Sequence, residues 1–259
     1  MRSRLRAVSA VAALAVLDAL RRKDLYVMAI LCGLMIAAGR VFAAVGLWGL
    51  ETVIKDLTFG AVSLCSILLC ILLATRQVPE EISRRTLYPL LARPISRGEL
   101  LLGKFLGTLV MSWAALLLAA SVALVSLASL HCRLGPVVVQ YLVLRAFALA
   151  PITALSICMS LYLTPSAAVL VSALLTLGAS TFARASTLVG GDAGPVATGL
   201  LRAFDWLMPR MDLFDLGKKA AFDLGPVAGW VIGCMAVYAL IYTALPLAAA
   251  IARFRRMAL

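Results

Sequence analysis

Acidic residues are scarce in this chain, and histidine is nearly absent. Asp and Glu number 12 against 24 Lys and Arg, and charged residues make up 14% of the 259 positions, where soluble domains hold about 25%. His131 is the single histidine. There is therefore no H-E-x-x-H pair and no second imidazole to work with a carboxylate, and no G-x-S-x-G turn occurs. The cysteines at 32, 65, 70, 132, 158 and 234 include no C-x-x-C spacing. Five fall within apolar runs, where cysteine behaves as a small apolar residue, so neither a disulfide framework nor a zinc site is indicated. His131-Cys132 sits in a short loop, and no metal role is expected of it. No catalytic or metal constellation emerges, and the chain is not expected to be an enzyme.

What is abundant is hydrocarbon. Hydrophobic residues make up 63% of the chain and the mean hydropathy is +1.03, against about 45–50% apolar residues in soluble domains. The excess requires a bilayer. The net charge of +12 raises the question of nucleic acid, but the basic residues cluster at the ends of apolar runs, as membrane topology demands. No nucleic-acid partner is expected.

A membrane span takes about 20 apolar residues at about 1.5 Å each. Six stretches qualify: 25–45, 57–75, 105–130, 137–163 with a kink expected at Pro151, 167–182 and 227–251. Residues 1–24 resemble a signal peptide, with basic residues before an apolar run. That run is Ala-rich and is followed at once by Asp18, Arg21, Arg22 and Lys23. An interfacial helix is the preferred reading. Residues 183–226, rich in Gly and Pro, predict one or two short amphipathic helices outside the membrane, with Phe204, Trp206 and Phe214 as interfacial anchors. The fold class expected is thus an all-α integral membrane protein in one domain.

Fifteen basic residues fall in 1–24, 76–104 and the tail Arg253, Arg255 and Arg256, against seven in the loops of the other side. The positive-inside rule then places both termini and the 79–104 loop in the cytoplasm, with the cell membrane as the location. None of the six stretches contains Asp or Glu. Since proton-coupled carriers usually employ an intramembrane acid, a carrier driven by protons is disfavoured.

The segment 79–107, PEEISRRTLYPLLARPISRGELLLGKFLG, is the long polar interruption on the basic side. Pro79 can open a helix with Glu80 and Glu81 at its positive end. Pro89 closes that helix, and Pro94 breaks the chain again. Ser96 and Glu99 form a capping box for the next helix. Arg84, Arg85, Arg93 and Arg97 suit anionic lipid, but the proline-broken helices with acidic starts suit docking on a partner better. Gly98 to Lys104 matches G-x-x-x-x-G-K, yet Phe105 replaces the Ser or Thr that would hold magnesium and no strand precedes it. It is not a phosphate loop.

Arg145 lies about 12 Å into the fourth stretch. A cation there faces the protein interior or a wet cavity. It could contact an anionic substrate or the other half of a dimer, hold backbone carbonyls or an acid such as Glu51 or Asp56, or snorkel.

The ordered set Glu80/Glu81, Thr86, Leu90-Leu91, Pro94-Ile95-Ser96-Arg97, Glu99 and Gly103-Lys104 resembles the cytoplasmic loop of ABC-2 type permeases. One departure is Arg84-Arg85, where a small pair such as Ser-Gly is common. The motif covers about a tenth of the chain, and the six-span plan extends the likeness to the rest. The resemblance implies the membrane subunit of an ATP-driven exporter, paired with a second permease subunit. Its coupling helix, between spans two and three, would dock a separate ATPase subunit through Glu80, Glu81, Arg84, Arg85, Thr86, Leu87, Arg93 and Arg97. ATP and magnesium would be held in that partner, with no cofactor in this chain. External helices before the last span would help form the outer gate. Two other classes stay open, an ATP-independent carrier or channel and a membrane scaffold subunit. The substrate is not readable.

Overall fold

The computed structural model describes residues 2–21, 26, 30–34, 36–37, 51–83, 96–132, 135–189 and 210–256. Among these every regular element is a helix and no strand occurs. The helices are α1 (Arg2–Arg21), α2 (Glu51–Ser83), α3 (Arg97–Ser129), α4 (Val137–Ser160), α5 (Pro165–Val189), a 3-10 turn (Met211–Phe214), α6 (Gly217–Ala221) and α7 (Gly229–Arg256). Four of them, α2, α3, α4 and α7, are long and apolar enough to cross a membrane. Two shorter apolar runs, Val8–Ala19 and Pro165–Gly178, lie in α1 and α5. The expected stretch 25–45 is described only at helical positions 26, 30–34, 36 and 37.

Successive long helices run in alternate directions, so the bundle has two ends. One, the loop end, carries Ser83, Ser96, the α4–α5 turn and the end of α7. The other, the cap end, carries the start of α2, the α3–α4 turn and residues 210–228. The most enclosed of the four long helices is α2, which packs on α3, α4 and α5, whereas α7 is the least enclosed and lies chiefly on α4. Ile71, Leu100, Leu127, Leu144, Ile152 and Ile157 are buried between them.

At 33 residues, α2 is about 50 Å long, well over the roughly 30 Å of a bilayer core. Its length corrects one expectation. Pro79 does not open a new helix, because α2 continues through it to Ser83. The reason lies in α3. Lys104 donates to the Gln77 carbonyl at 3.3 Å and pairs with Glu81, while Thr108 donates to the Gln77 amide oxygen at 2.8 Å. These bonds hold the turn on both sides of the proline, as neighbouring helices do for prolines in membranes. The breaks expected at Pro89 and Pro94 lie outside the described residues.

Pro151 likewise sits inside α4. Around it Trp113 donates its indole N–H to the Ala146 carbonyl at 2.9 Å, and Thr153 donates to Leu149 at 2.6 Å while lying 3.1 Å from Cys70 Sγ. The capping box at the start of α3 is as the sequence predicts: Glu99 N–H donates to Ser96 Oγ at 3.2 Å and Ser96 N–H to Glu99 Oε2 at 3.0 Å. The far end of α3 closes through His131 at φ 55. At the α4–α5 turn, Pro165 takes the first helical position, which suits its missing N–H.

α1 lies along α3. The approach is set by Gly103 and Gly107, one helical turn apart. A Cβ at Gly103 would come 2.7 Å from Val11 Cβ, and one at Gly107 would come 2.7 Å from Ala15 Cβ and 2.8 Å from the Ala12 carbonyl oxygen. This is the small-x-x-x-small contact that lets two backbones meet.

Candidate functional site

Two places gather polar side chains that an apolar bundle does not need. The first is the junction formed by the end of α2 and the start of α3, between which 84–95 lies in sequence. On its entry side, Glu81 at the end of α2 pairs with Lys104, whose side chain is 3% exposed. On its exit side, Arg97 reaches across to α7 and donates from Nη1 to the carbonyls of Phe254 at 3.3 Å and Arg255 at 3.2 Å. Those carbonyls belong to the last turn of a helix, where no intrahelical donor remains and a cation is favoured. A guanidinium fits both needs. Gly98 faces the same end of α7, where a Cβ would be in ordinary contact with Ile251 at 3.6 Å and Arg255 at 3.7 Å. The segment's two ends are therefore fastened to α3 and α7. Glu80, Glu81 and Arg97 are among the described residues; Arg84, Arg85, Thr86, Leu87 and Arg93 lie outside them.

The second place is the cap end. Residues 210–228 lie over the tops of α2, α4, α5 and α7 and are fixed there by several bonds. Lys55, buried at 2% exposure, holds Asp223 at 2.9 Å and Glu51 at 3.0 Å. Gln140 pairs with the backbone of Val227 in both senses, at 3.0 and 2.8 Å. Arg210 N–H donates to the Tyr238 hydroxyl at 3.0 Å. Gly217 fits against Phe59 and Tyr141, and its N–H is taken by Asp215 Oδ1 at 2.9 Å. Phe214, expected as an interfacial anchor, is instead fully buried, its ring 6.0 Å from that of Tyr238. The cap needs an apolar plug between α5 and α7, and a phenyl ring supplies it. Phe204 and Trp206 lie outside the described residues. In the neighbouring turn, burial and then the Glu51 carboxylate push the Cys132 thiol up, against Lys55, so it stays a neutral thiol. Among the described residues no three His, Cys, Asp or Glu side chains gather as metal ligands.

Beneath the cap, Tyr141 donates to the Phe59 carbonyl at 2.8 Å. One turn deeper lies Arg145, 2% exposed. Its Nε and Nη2 are buried with no hydrogen-bond partner. The acids suggested from sequence do not supply one: Glu51 is engaged with Lys55, and no bond from these atoms to a backbone carbonyl exists. The other orphaned buried side-chain atoms among the described residues are the hydroxyls of Ser156 on α4 and Ser172 on α5. Sequence inspection singled out Arg145, but not the serines, since Ser is common in membrane helices and ordinarily bonds its own helix. It also missed Gln140 and Lys55, each an ordinary polar residue near a helix end, and it read Gly103 and Gly107 only as loop-motif glycines.

Among curated proteins no match to the chain was found. The family model described as "Protein of unknown function (DUF2705)" matches residues 25–259, nearly the whole chain, and the protein belongs to that family.

Proposed function

We propose that the chain is the membrane subunit of an ABC-2 type exporter, worked by a separate ATPase that docks on the segment 84–95. In this reading six spans cross the cell membrane, the loop end with both chain termini is cytoplasmic, and a second permease subunit completes the transporter. ATP and magnesium belong to the ATPase. The observation that carries the reading is the fastening of the motif's two flanks. Glu81 is tied to α3 through Lys104, and Arg97 to the end of α7, so force applied to 84–95 would reach three long helices at once. A loop that merely bound lipid has no use for such anchoring. Supporting it, Arg76, Lys104, Arg253, Arg255 and Arg256 all lie at this end of the bundle, as the positive-inside rule asks of a cytoplasmic face.

Glu81 and Arg97 are engaged within the chain, so Arg84 and Arg85 are the better residues to test for docking. The tagged protein, purified from its own cell in mild detergent, should carry a stoichiometric ATP-hydrolysing subunit. The double variant Arg84→Glu, Arg85→Glu should insert normally and lose it. If the wild-type chain transports without any co-eluting ATPase, the permease reading fails and a standalone carrier takes its place.

A further inference from the structure

We infer that Arg145 is a recognition point for an oxyanion, a carboxylate or phosphate, carried by the transported molecule. The inference deepens the exporter reading and rests on it, because it names the chemistry of the cargo. Three observations carry it. The first is which atoms are orphaned. Nε and Nη2 share one edge of the guanidinium, and both are buried without a partner. That edge presents two parallel N–H donors, the fork that holds two oxygens of a carboxylate or phosphate. An arginine kept for structure would have this edge on carbonyls or an acid, since a buried cation without partners is costly.

The second is what lies along the same helix face. Ser156 follows Arg145 by three turns and, by helix geometry, points within about 20° of it, about 16 Å nearer the loop end. Its hydroxyl is also buried and unpartnered, as is that of Ser172 on the neighbouring α5. Every orphaned buried side-chain atom among the described residues thus belongs to α4 or α5. Arg145 and Ser156 share a face of α4 and Ser172 lies on the helix packed against it, and unused hydrogen-bonding groups on adjoining helices suit a moving polar group better than a fixed one.

The third is the cover. The 3-10 turn and α6 lie across α2, α4 and α5 directly over Tyr141, and their own Phe214, Ala220 and Ala221, with Leu216 between the two elements, are buried. A crevice beside Tyr141, lined by Phe59, Val62, Ala123, Val138 and Leu142, is apolar and too narrow for a water. The arginine is therefore sealed from the cap side in this state. An anion reaches it only when the helices part, as alternating access requires.

The test uses the purified chain alone in a neutral detergent. Trp113 reports on the site, because its indole bonds to Ala146, the residue after Arg145. The probes are dodecyl phosphate, dodecanoate, inorganic phosphate and dodecyltrimethylammonium. Dodecyl phosphate and dodecanoate should change the Trp113 emission saturably, with the Trp113→Phe variant identifying the signal. Arg145→Gln should weaken their binding by about tenfold or more, and Arg145→Lys should retain a weaker response. Without ligand, Arg145→Met should melt at a higher temperature than wild type, since it removes an unpaired buried charge; a structural arginine would give a lower one. Inorganic phosphate acting alone would support the oxyanion and make a free anion its source. An equal response from Arg145→Gln with helix content retained, or from the cationic probe, would overturn the inference. None of these readings involves an ATPase, so its failure leaves the co-elution result untouched.

Discussion

Replacing Gly107 by alanine sets two effects of similar size against each other, and the structure says which wins. Alanine within a helix is favoured over glycine by about 0.5–1 kcal/mol. At Gly233, where a Cβ meets nothing within 4 Å, that gain should appear undiminished. At Gly107 the new Cβ would lie 2.7 Å from Ala15 Cβ, 2.8 Å from the Ala12 carbonyl oxygen and 3.3 Å from Ala12 Cα. Two of these three are main-chain atoms, which cannot turn aside as a side-chain tip can, so α1 must move as a body. Overpacking of this kind costs about 1–3 kcal/mol, which leaves a net loss of up to about 2.5 kcal/mol once the helix preference is subtracted. Gly103→Ala, at 2.7 Å from Val11 Cβ, should behave alike. Thermal melts in detergent should rise for Gly233→Ala and fall for Gly107→Ala, by about 2–4 °C per kcal/mol for a chain of this size. Amide exchange in Val8–Ala19 should quicken in the Gly107 variant only. A Gly107→Ala protein as stable as Gly233→Ala, with α1 exchange unchanged, would refute the α1–α3 packing.

Other perturbations read the anchors directly. Lys104→Met removes the ion pair to Glu81 and the bond to the Gln77 carbonyl and should cost about 2–3 kcal/mol, less than the about 3–5 kcal/mol of a fully buried pair because Glu81 is one-third exposed. Adding Glu81→Leu should recover much of the loss, and a double-mutant cycle of melting curves measures the recovery. Arg97→Ala removes two charge-assisted bonds to the end of α7 and should cost about 1–3 kcal/mol; its mark is faster amide exchange near Arg255, with little change at Gly229. Gln140→Leu frees both backbone groups of Val227 and should loosen the cap, seen as easier protease cleavage around Gly225.

The long helices are legible in the sequence because a bilayer demands uninterrupted hydrocarbon, and residues 57–75, 105–130 and 137–163 have it. Their ends are less so. At Pro79 the local rule is that proline opens or breaks a helix, and what overrides it is the grip of Lys104 and Thr108 on Gln77, twenty-seven and thirty-one residues away. No window of the sequence holds both partners. Ser96 and Glu99 are the opposite case. Their bonds span three residues, so the capping box is visible in the letters alone. Phe214 shows a third situation, in which an aromatic residue in a stretch of mixed apolar and charged residues reads as a surface anchor until the helices it plugs are known. Arg145 is conspicuous by its type, but its lack of partners is a property of every neighbour it fails to meet, and only the packed bundle reveals that.

The two polar places are not independent, because the same helices end at both. At the loop end α2 carries Glu81, and at the cap end it carries Lys55, which holds Asp223. At the loop end α7 offers its last carbonyls to Arg97, and it starts two residues after Val227, which Gln140 clamps. Each is one continuous helix, about 50 and about 42 Å long by its residue count, and a helix transmits displacement along its axis far better than a loop does. In the exporter reading, a pull at 84–95 that shifts the ends of α2 and α7 strains the bonds to Asp223 and Val227, two of those that fix the cap over Arg145. The Lys104 and Arg97 anchors serve the fold by bracing Pro79 and closing the end of α7, and in the exporter reading proposed above they also carry a pull from 84–95 toward the cap over the unpaired guanidinium. In that reading one mechanism, force applied at the loop and release at the cap, links the two places.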